Sequence, residues 1–193
     1  MKQNWKPGTL VYPVPAVLVS CGDSIKSNLV TVAWTGTICT NPAMLYISVR
    51  PERFSYGIIK ENMEFTVNLT TRDMAKATDL CGVISGADSD KWEVSGLTPY
   101  PGVAVKCPAI EESPISIECK VKEIMPLGSH HMFIAEVVNV LADDRYFDKT
   151  GRFDLERAQL MSYSHGAYYS QGLRLGTFGF SVRKKKKRQT KHK

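Results

Sequence analysis

Two strand-like segments that follow one another without a helix between them limit the folds open to this chain. Residues 115–124, ISIECKVKEI, alternate apolar and charged side chains, and residues 132–141, MFIAEVVNVL, form a second β-rich run. Alternation predicts a strand with one buried face, so Ile117 and Cys119 are expected to face a core and Glu118 to face solvent. Because parallel strands need long crossovers, a βαβ sheet fits this part of the chain less well than an antiparallel sheet.

The rest of the chain also consists of short segments with strand character. The predicted elements are strands at 15–21, 28–34, 43–49 and 64–69, helices at 53–62 and 71–82, and a helical turn within 85–96. Six or seven short strands with a few helices favour a mainly β protein, a β-barrel with flanking helices. The 193 residues are enough for one domain with a real core.

The net charge of +6 belongs to one end of the chain. Residues 184–193, KKKKRQTKHK, carry seven Lys or Arg and no acid, and the remaining 18 basic and 19 acidic residues nearly cancel. We therefore predict one domain at 1–183 and a disordered, solvated basic tail at 184–193. The nearly neutral body argues against nucleic acid as a partner, although the tail could add an electrostatic contact to an anionic surface.

The sequence favours a cytoplasmic protein. No run approaches the roughly 18 apolar residues of a membrane span, and prolines interrupt the N-terminal segment where a signal peptide needs an apolar core. The five cysteines are an odd number without CxxC or His spacing, so neither a disulfide framework nor a metal site is predicted.

Known nucleotide-binding and hydrolase motifs are absent, so function must come from residues that the fold brings together. The strand at 28–34 ends in Trp34-Thr35-Gly36-Thr37, which offers a flat apolar wall beside freely presented backbone amides. These features suit a planar heterocycle with acceptor atoms at its rim. A core tryptophan that caps one end of a barrel explains the same residues equally well.

Two further places carry candidate chemistry. In residues 48–56, SVRPERFSY, two arginines (Arg50 and Arg53) precede Ser55 at a predicted helix start, a combination that suits a phosphate. An ordinary helix start with solvated arginines is the alternative. His130 and His131 open a strand and point to opposite faces, so they cannot readily share a metal. One of them could bind a ligand or transfer a proton near neutral pH, although a structural or exposed histidine explains the pair as well.

Five segments, taken in order and spacing, resemble the flavin reductase-like, FMN-binding split-barrel family, in particular its flavoredoxin branch. The segments are NLVTVAWTGTICTNP, SVRPERFSY, EFTVNL, GSHHMFIAEV and YYSQGLRLGTFGFS. The resemblance runs from about residue 8 to residue 183. It implies a six-stranded antiparallel Greek-key split barrel with flanking helices, and a homodimer that binds FMN near the subunit interface.

The resemblance also implies roles for individual residues. Asn28 and Trp34 would line the flavin, the backbone of residues 35–37 would face the isoalloxazine edge, and Ser55 would bind the phosphate. Lys91, which on its own reads as a surface residue beside Asp90, would contact the flavin as a cation. The full set implied to bind the cofactor is Asn28, Trp34, Thr35, Gly36, Thr37, Arg50, Ser55, Lys91, His130 and Tyr163, with His130 also in a catalytic role.

Two functions follow from the resemblance. The first is an FMN-dependent oxidoreductase that takes hydride from NAD(P)H and reduces free flavin or another acceptor. The second is a non-enzymatic carrier that passes electrons between redox proteins. In the family's reductases an acidic residue often precedes the histidine and that part of the site is associated with nicotinamide access. Here Ser129 takes its place, so the identity of the electron donor is left open.

Overall fold

A mainly β architecture is built from strands that are mostly short. The computed structural model describes residues 1–183, and the predicted disorder of residues 184–193 lies outside them. The strands are β1 (Val14–Pro15), β2 (Val17–Gly22), β3 (Ser27–Val32), β4 (Thr35–Thr40), β5 (Ala43–Val49), β6 (Glu64–Leu69), β7 (Pro99–Tyr100), β8 (Ala109–Ile110), β9 (Ile115–Pro126), β10 (His131–Ala142), β11 (Met161–Ser164) and β12 (Ala167–Ser170).

Seven of these strands form one antiparallel sheet in the order β3-β2-β6-β9-β10-β5-β4. The expected barrel has six strands, and the additional one is β4, in a segment where the sequence suggests a turn after Trp34. β3 and β4 are the two edges of this sheet, and no ladder between them closes it within residues 1–183. The Greek-key closure therefore stays a prediction.

Both faces of β2 are buried, which accounts for its nearly continuous apolar sequence. In β2, Val17 and Val19 belong to a central core with residues of β3, β5, β6, β9 and β10. Leu18, on the other face of β2, packs with Leu29 and Met74 beneath a helical layer. Burial on two sides is the reason that residues 17–22 show no alternation.

Three α-helices flank the sheet at the predicted places. They are α1 (Phe54–Asn62), α2 (Ala75–Val83), which follows a 3₁₀ turn at Arg72–Met74, and α3 (Lys91–Ser95). α1 packs against β2 and β6, whereas α2 packs against β3 and α3. Asp90 caps α3 by accepting a hydrogen bond from the backbone amide of Trp92 at 2.9 Å, so α3 begins at Lys91.

Glu118 corrects one prediction from the sequence. The alternation of β9 predicts an exposed Glu118, yet its side chain is fully buried. Its carboxylate accepts hydrogen bonds from the backbone amides of Val103 and Ala104 at 2.6 and 2.9 Å and from the amide of Asn139 at 2.8 Å. The loop before β8 covers this face of the sheet and supplies two of the three donors, a tertiary contact that strand periodicity cannot reveal.

The C-terminal part, which the sequence leaves unassigned, forms a small separate sheet and an extended arm. β1, β11 and β12 make a three-stranded sheet in which the ring of Tyr163 contacts Tyr12 and Tyr168. Residues 171–179 then continue mostly without regular structure. Among residues 1–183, no helix is long and apolar enough to cross a membrane.

Candidate functional site

The first part of the candidate site is a small polar end formed by β3, the start of α1 and the loop after α2. Asn28 and Ser55 are 4% and 1% exposed, and the Asn28 side-chain amide donates a hydrogen bond to the Ser55 hydroxyl at 2.7 Å. Gly86, in the loop, lies against Asn28. These residues line a cavity of about 250 Å³.

Lys91 adds a buried cation to the polar end. Its side chain lines the same cavity, is 4% exposed, and donates one hydrogen bond from Nζ to the backbone oxygen of Cys81 at 2.7 Å. No salt bridge pairs it with a carboxylate among the described residues. Burial, and to a smaller degree Arg53, lowers the pKa of Lys91 below its ordinary value. An ammonium group with two unused N–H donors at a buried position is suited to an anion.

The N-terminus of α1 and two arginines complete the cationic side of the cavity. Ser55 is the second residue of this nine-residue helix, whose first amides lack acceptors within the helix. Arg50 pairs with Glu52 at 3.1 Å on the surface, and Arg53 lies 3.5 Å from the backbone oxygen of Gly82. The helix dipole, Lys91 and Arg53 together make a positive end for a negatively charged group.

The second part of the site is an aromatic end formed by Trp34 and His130. Their rings are in tilted contact, with centroids 4.4 Å apart and a 40° angle between planes, and they border a cavity of about 180 Å³. Trp34 remains 37% exposed. Partial burial and Arg50 lower the pKa of His130 below its ordinary value of 6.5, so its imidazole is mainly neutral at pH 7.

The two cavities adjoin, since both are lined by Val30, Arg50 and Arg53. They form one groove, which we call the polar–aromatic groove, with Lys91 at one end and Trp34 at the other. Such a groove can hold an elongated molecule that carries an anion at one end and a flat apolar ring at the other. No group of three metal-ligating side chains occurs within residues 1–183.

Six of the ten residues implied to bind the cofactor therefore line one groove, and four do not. Those in the groove are Asn28, Trp34, Arg50, Ser55, Lys91 and His130. Thr35, Gly36 and Thr37 lie just beyond it in the edge strand β4, where the Thr35 hydroxyl donates to the Tyr46 oxygen at 2.6 Å. Tyr163 lies in the small sheet and lines neither cavity.

Sequence reasoning missed Gly86, and it placed Arg53 in a candidate phosphate site without including it among the residues implied to bind the cofactor. Both line the groove. Gly86 occurs in a polar, glycine-bounded segment that is typical of a loop, so only its contact with Asn28 identifies it. Cys21, which lies behind Ser55, is buried, and burial raises the pKa of its thiol to about 12. A thiol with that pKa carries no nucleophilic chemistry at neutral pH.

Comparisons with known proteins give consistent matches over most of the chain. The model of the flavin reductase like domain matches residues 9–171. An uncharacterized protein of Archaeoglobus fulgidus is 29% identical over 160 residues, covering 83% of this chain and 89% of that protein. The structure of flavoredoxin from Desulfovibrio vulgaris (Miyazaki F) matches with a TM-score of 0.86 and 30% identity, over 95% of this chain and 100% of that one.

A second solved structure extends the likeness to an archaeal protein. Flavoredoxin from Methanosarcina acetivorans matches with a TM-score of 0.85 and 26% identity, again over 95% of this chain and 100% of that chain. The family match covers the strands and helices that build the groove. This chain therefore belongs to the flavin reductase-like domain family.

Proposed function

We propose that this protein is an FMN-binding oxidoreductase of the flavin reductase-like, flavoredoxin type, which moves electrons from NAD(P)H or a reduced protein donor to an acceptor. One observation carries the proposal: a single groove joins a buried cationic end at Lys91 and Ser55 to an aromatic end at Trp34 and His130. FMN has an anionic phosphate at one end and a planar ring at the other.

The residues of the groove fit a terminal phosphate. Asn28, Ser55 and Lys91, which line the polar end, are buried. A phosphomonoester can fill such an end, whereas the diphosphate of FAD must continue toward an adenosine. This supports FMN as the cofactor.

FMN, when bound, would supply the redox chemistry, and the chain would supply binding and orientation. Ser55, Lys91 and the N-terminus of α1 would hold the phosphate through charge-assisted hydrogen bonds. Trp34 would form an apolar wall against the ring system. His130, with a pKa below its ordinary value, would be neutral at pH 7 and able to accept or donate a proton at the aromatic end.

Anaerobic reduction tests the enzyme proposal. The purified protein is loaded with FMN under anaerobic conditions, mixed with NADH or NADPH, and followed by its flavin absorbance. We expect one of the two nucleotides to bleach the absorbance within seconds. If neither does so while reduced ferredoxin bleaches it, the reductase function is wrong and the electron-carrier function stands.

We also propose a cytoplasmic homodimer. The C-terminal arm carries large apolar side chains almost wholly in solvent, among them Leu173, Leu175 and Phe178 at 95%, 93% and 104% exposure. Large apolar side chains left in solvent in this way mark an association site. Light scattering after gel filtration should give twice the chain mass, and a triple substitution of these residues by serine should give monomers. The five free cysteines suit a reducing compartment.

A further inference from the structure

We infer that Gly86 and Asn28 are positioning residues that turn the Ser55 hydroxyl into a hydrogen-bond donor for a phosphomonoester. The pair would thereby set the preference of the groove for a phosphorylated flavin over riboflavin. The inference rests on the proposed FMN-binding function, and it adds a residue, Gly86, that the sequence does not identify. It also gives Asn28 a role that acts through Ser55 rather than directly on the ring.

The hydrogen bond between Asn28 and Ser55 has a defined direction. The side-chain amide of Asn28 donates to the Ser55 Oγ at 2.7 Å. A hydroxyl group has one proton to donate and two lone pairs that accept. Since the amide occupies a lone pair, the Ser55 proton is left to point elsewhere. The cavity beside Ser55, with the Lys91 ammonium group on its wall, is where an acceptor would lie.

Asn28 itself is held from its backbone side. It lies in β3 opposite Cys21 of β2, and the Cys21 thiol is directed at the Asn28 carbonyl oxygen at 3.6 Å. Because the backbone is fixed in the sheet, the side chain of Asn28 can move only by rotation. Its rotation is in turn limited by whatever stands against it, which is Gly86.

Gly86 leaves the space that Asn28 occupies. A β-carbon at position 86 would lie 2.6 Å from Asn28 Cγ and 2.7 Å from Nδ2, closer than real β-carbons approach their neighbours. The Gly86 backbone does not adopt a left-handed conformation, so the requirement is one of space. The loop cannot easily yield, because Ser85 accepts hydrogen bonds from the amides of Ala87 and Asp88 at 3.2 and 3.3 Å. Any side chain at position 86 therefore displaces the amide of Asn28.

This arrangement predicts that a change at Gly86 or Asn28 weakens only the binding of the phosphate group. With Asn28 displaced, the Ser55 hydroxyl would lose its fixed orientation, and a charge-assisted hydrogen bond to the ligand would weaken. Such bonds correspond to roughly a tenfold or larger change in affinity. Riboflavin has the same ring system without the phosphate, so its affinity should stay the same. The ratio of FMN to riboflavin affinity thus separates positioning from general damage.

The test measures equilibrium binding of FMN and of riboflavin to the full chain by quenching of flavin fluorescence. The variants are Gly86→Ala, Asn28→Ala and the double variant. Gly57→Ala is the matched control, because an added β-carbon in α1 meets nothing within 4 Å. We expect each single variant to lose roughly tenfold in FMN affinity, with riboflavin affinity unchanged and the control equal to wild type. In the double variant, Gly86→Ala should add no further loss.

Specific outcomes overturn the inference. Wild-type FMN affinity in Gly86→Ala would do so, as would a parallel loss of riboflavin affinity. If circular dichroism shows that Gly86→Ala does not fold, Asn28→Ala alone tests the inference, again through its ratio of FMN to riboflavin affinity. Failure of both wild type and the Gly57→Ala control to bind FMN would instead refute the proposed function, and the inference with it.

Discussion

Replacement of Lys91 by methionine tests the electrostatics of the groove most sharply. The change keeps an unbranched apolar chain of similar length and removes the buried charge. Lys91 is 4% exposed and uses one of its three N–H donors on the Cys81 oxygen. The two remaining donors and the charge are available to an anion in the cavity. The structure therefore predicts a loss of affinity for FMN that exceeds the loss for riboflavin.

The magnitude follows from the burial of the charge. Hydrogen bonds to charged groups contribute about 1.5–3 kcal/mol, and solvent screens this position little because Lys91 is almost wholly buried. At about 1.4 kcal/mol for each factor of ten, FMN affinity should fall roughly 10- to 150-fold. Lys60→Met is the matched control. It removes an exposed lysine from α1, so FMN affinity should stay within twofold of wild type.

The pH dependence of FMN binding is a second test of the role of Lys91. Burial lowers the pKa of Lys91 below its ordinary value of 10.5, with Cys81, Cys21 and Arg53 as the other groups that influence it. A bound phosphate favours the charged form and raises this pKa again. Binding therefore takes up a proton at any pH where free Lys91 is neutral, and the affinity must fall as pH rises through that range.

Fluorescence titration of FMN between pH 7 and 9.5 measures both effects. Wild type should bind more weakly toward the alkaline end, and Lys91→Met should show weak binding with a flatter profile. Equal FMN affinity in wild type and Lys91→Met would refute the assignment of Lys91 to the phosphate end. An identical pH profile in the two proteins would refute its role as the titrating group.

Other parts of the account can be tested in the same way. Ser55→Ala should lower FMN affinity at least roughly tenfold, since it removes a charge-assisted hydrogen bond to the phosphate, and unchanged binding by titration would count against the polar end. Trp34→Ala should weaken the binding of FMN and of riboflavin alike, because the ring contact contributes about 0.5–1.5 kcal/mol. A loss of affinity confined to FMN would contradict the role of Trp34 as a wall against the flavin ring. Glu118→Ala should reduce the free energy of unfolding in urea by about 3 kcal/mol or more, since it leaves three donors without an acceptor, while flavin affinity stays the same. Deletion of residues 184–193 should leave FMN titrations unchanged, and loss of binding would show that the tail contributes to the site.

Much of the fold can be predicted from local sequence. β6 has the predicted bounds of 64–69, and α1 begins one residue after the predicted start of 53. Periodicity succeeds for α1 because Ser55 and Ile59 lie on one buried face, and β6 is rich in strand-forming residues. It fails for Glu118, since a loop distant in sequence covers that face of β9. It also fails for β4, because a polar edge strand carries no apolar pattern.

The candidate site was only partly predictable for the same kind of reason. Ser55 stands beside arginines at a helix start, so local rules mark it as a candidate for phosphate binding. Lys91 has no local signal, because its burial depends on packing between α2 and α3. Gly86 matters only through its contact with Asn28. Contacts of this type form only in the folded chain, so they cannot be identified from the sequence.

The central claim is that the polar–aromatic groove holds FMN through its phosphate and its ring. The most direct measurement is a titration of the purified protein with FMN at pH 7, read by quenching of flavin fluorescence beside Trp34 and repeated with Lys91→Met. We expect one FMN bound per chain in wild type and at least roughly tenfold weaker binding in Lys91→Met. A wild-type protein that quenches no flavin, or that binds FMN independently of Lys91, would contradict the account.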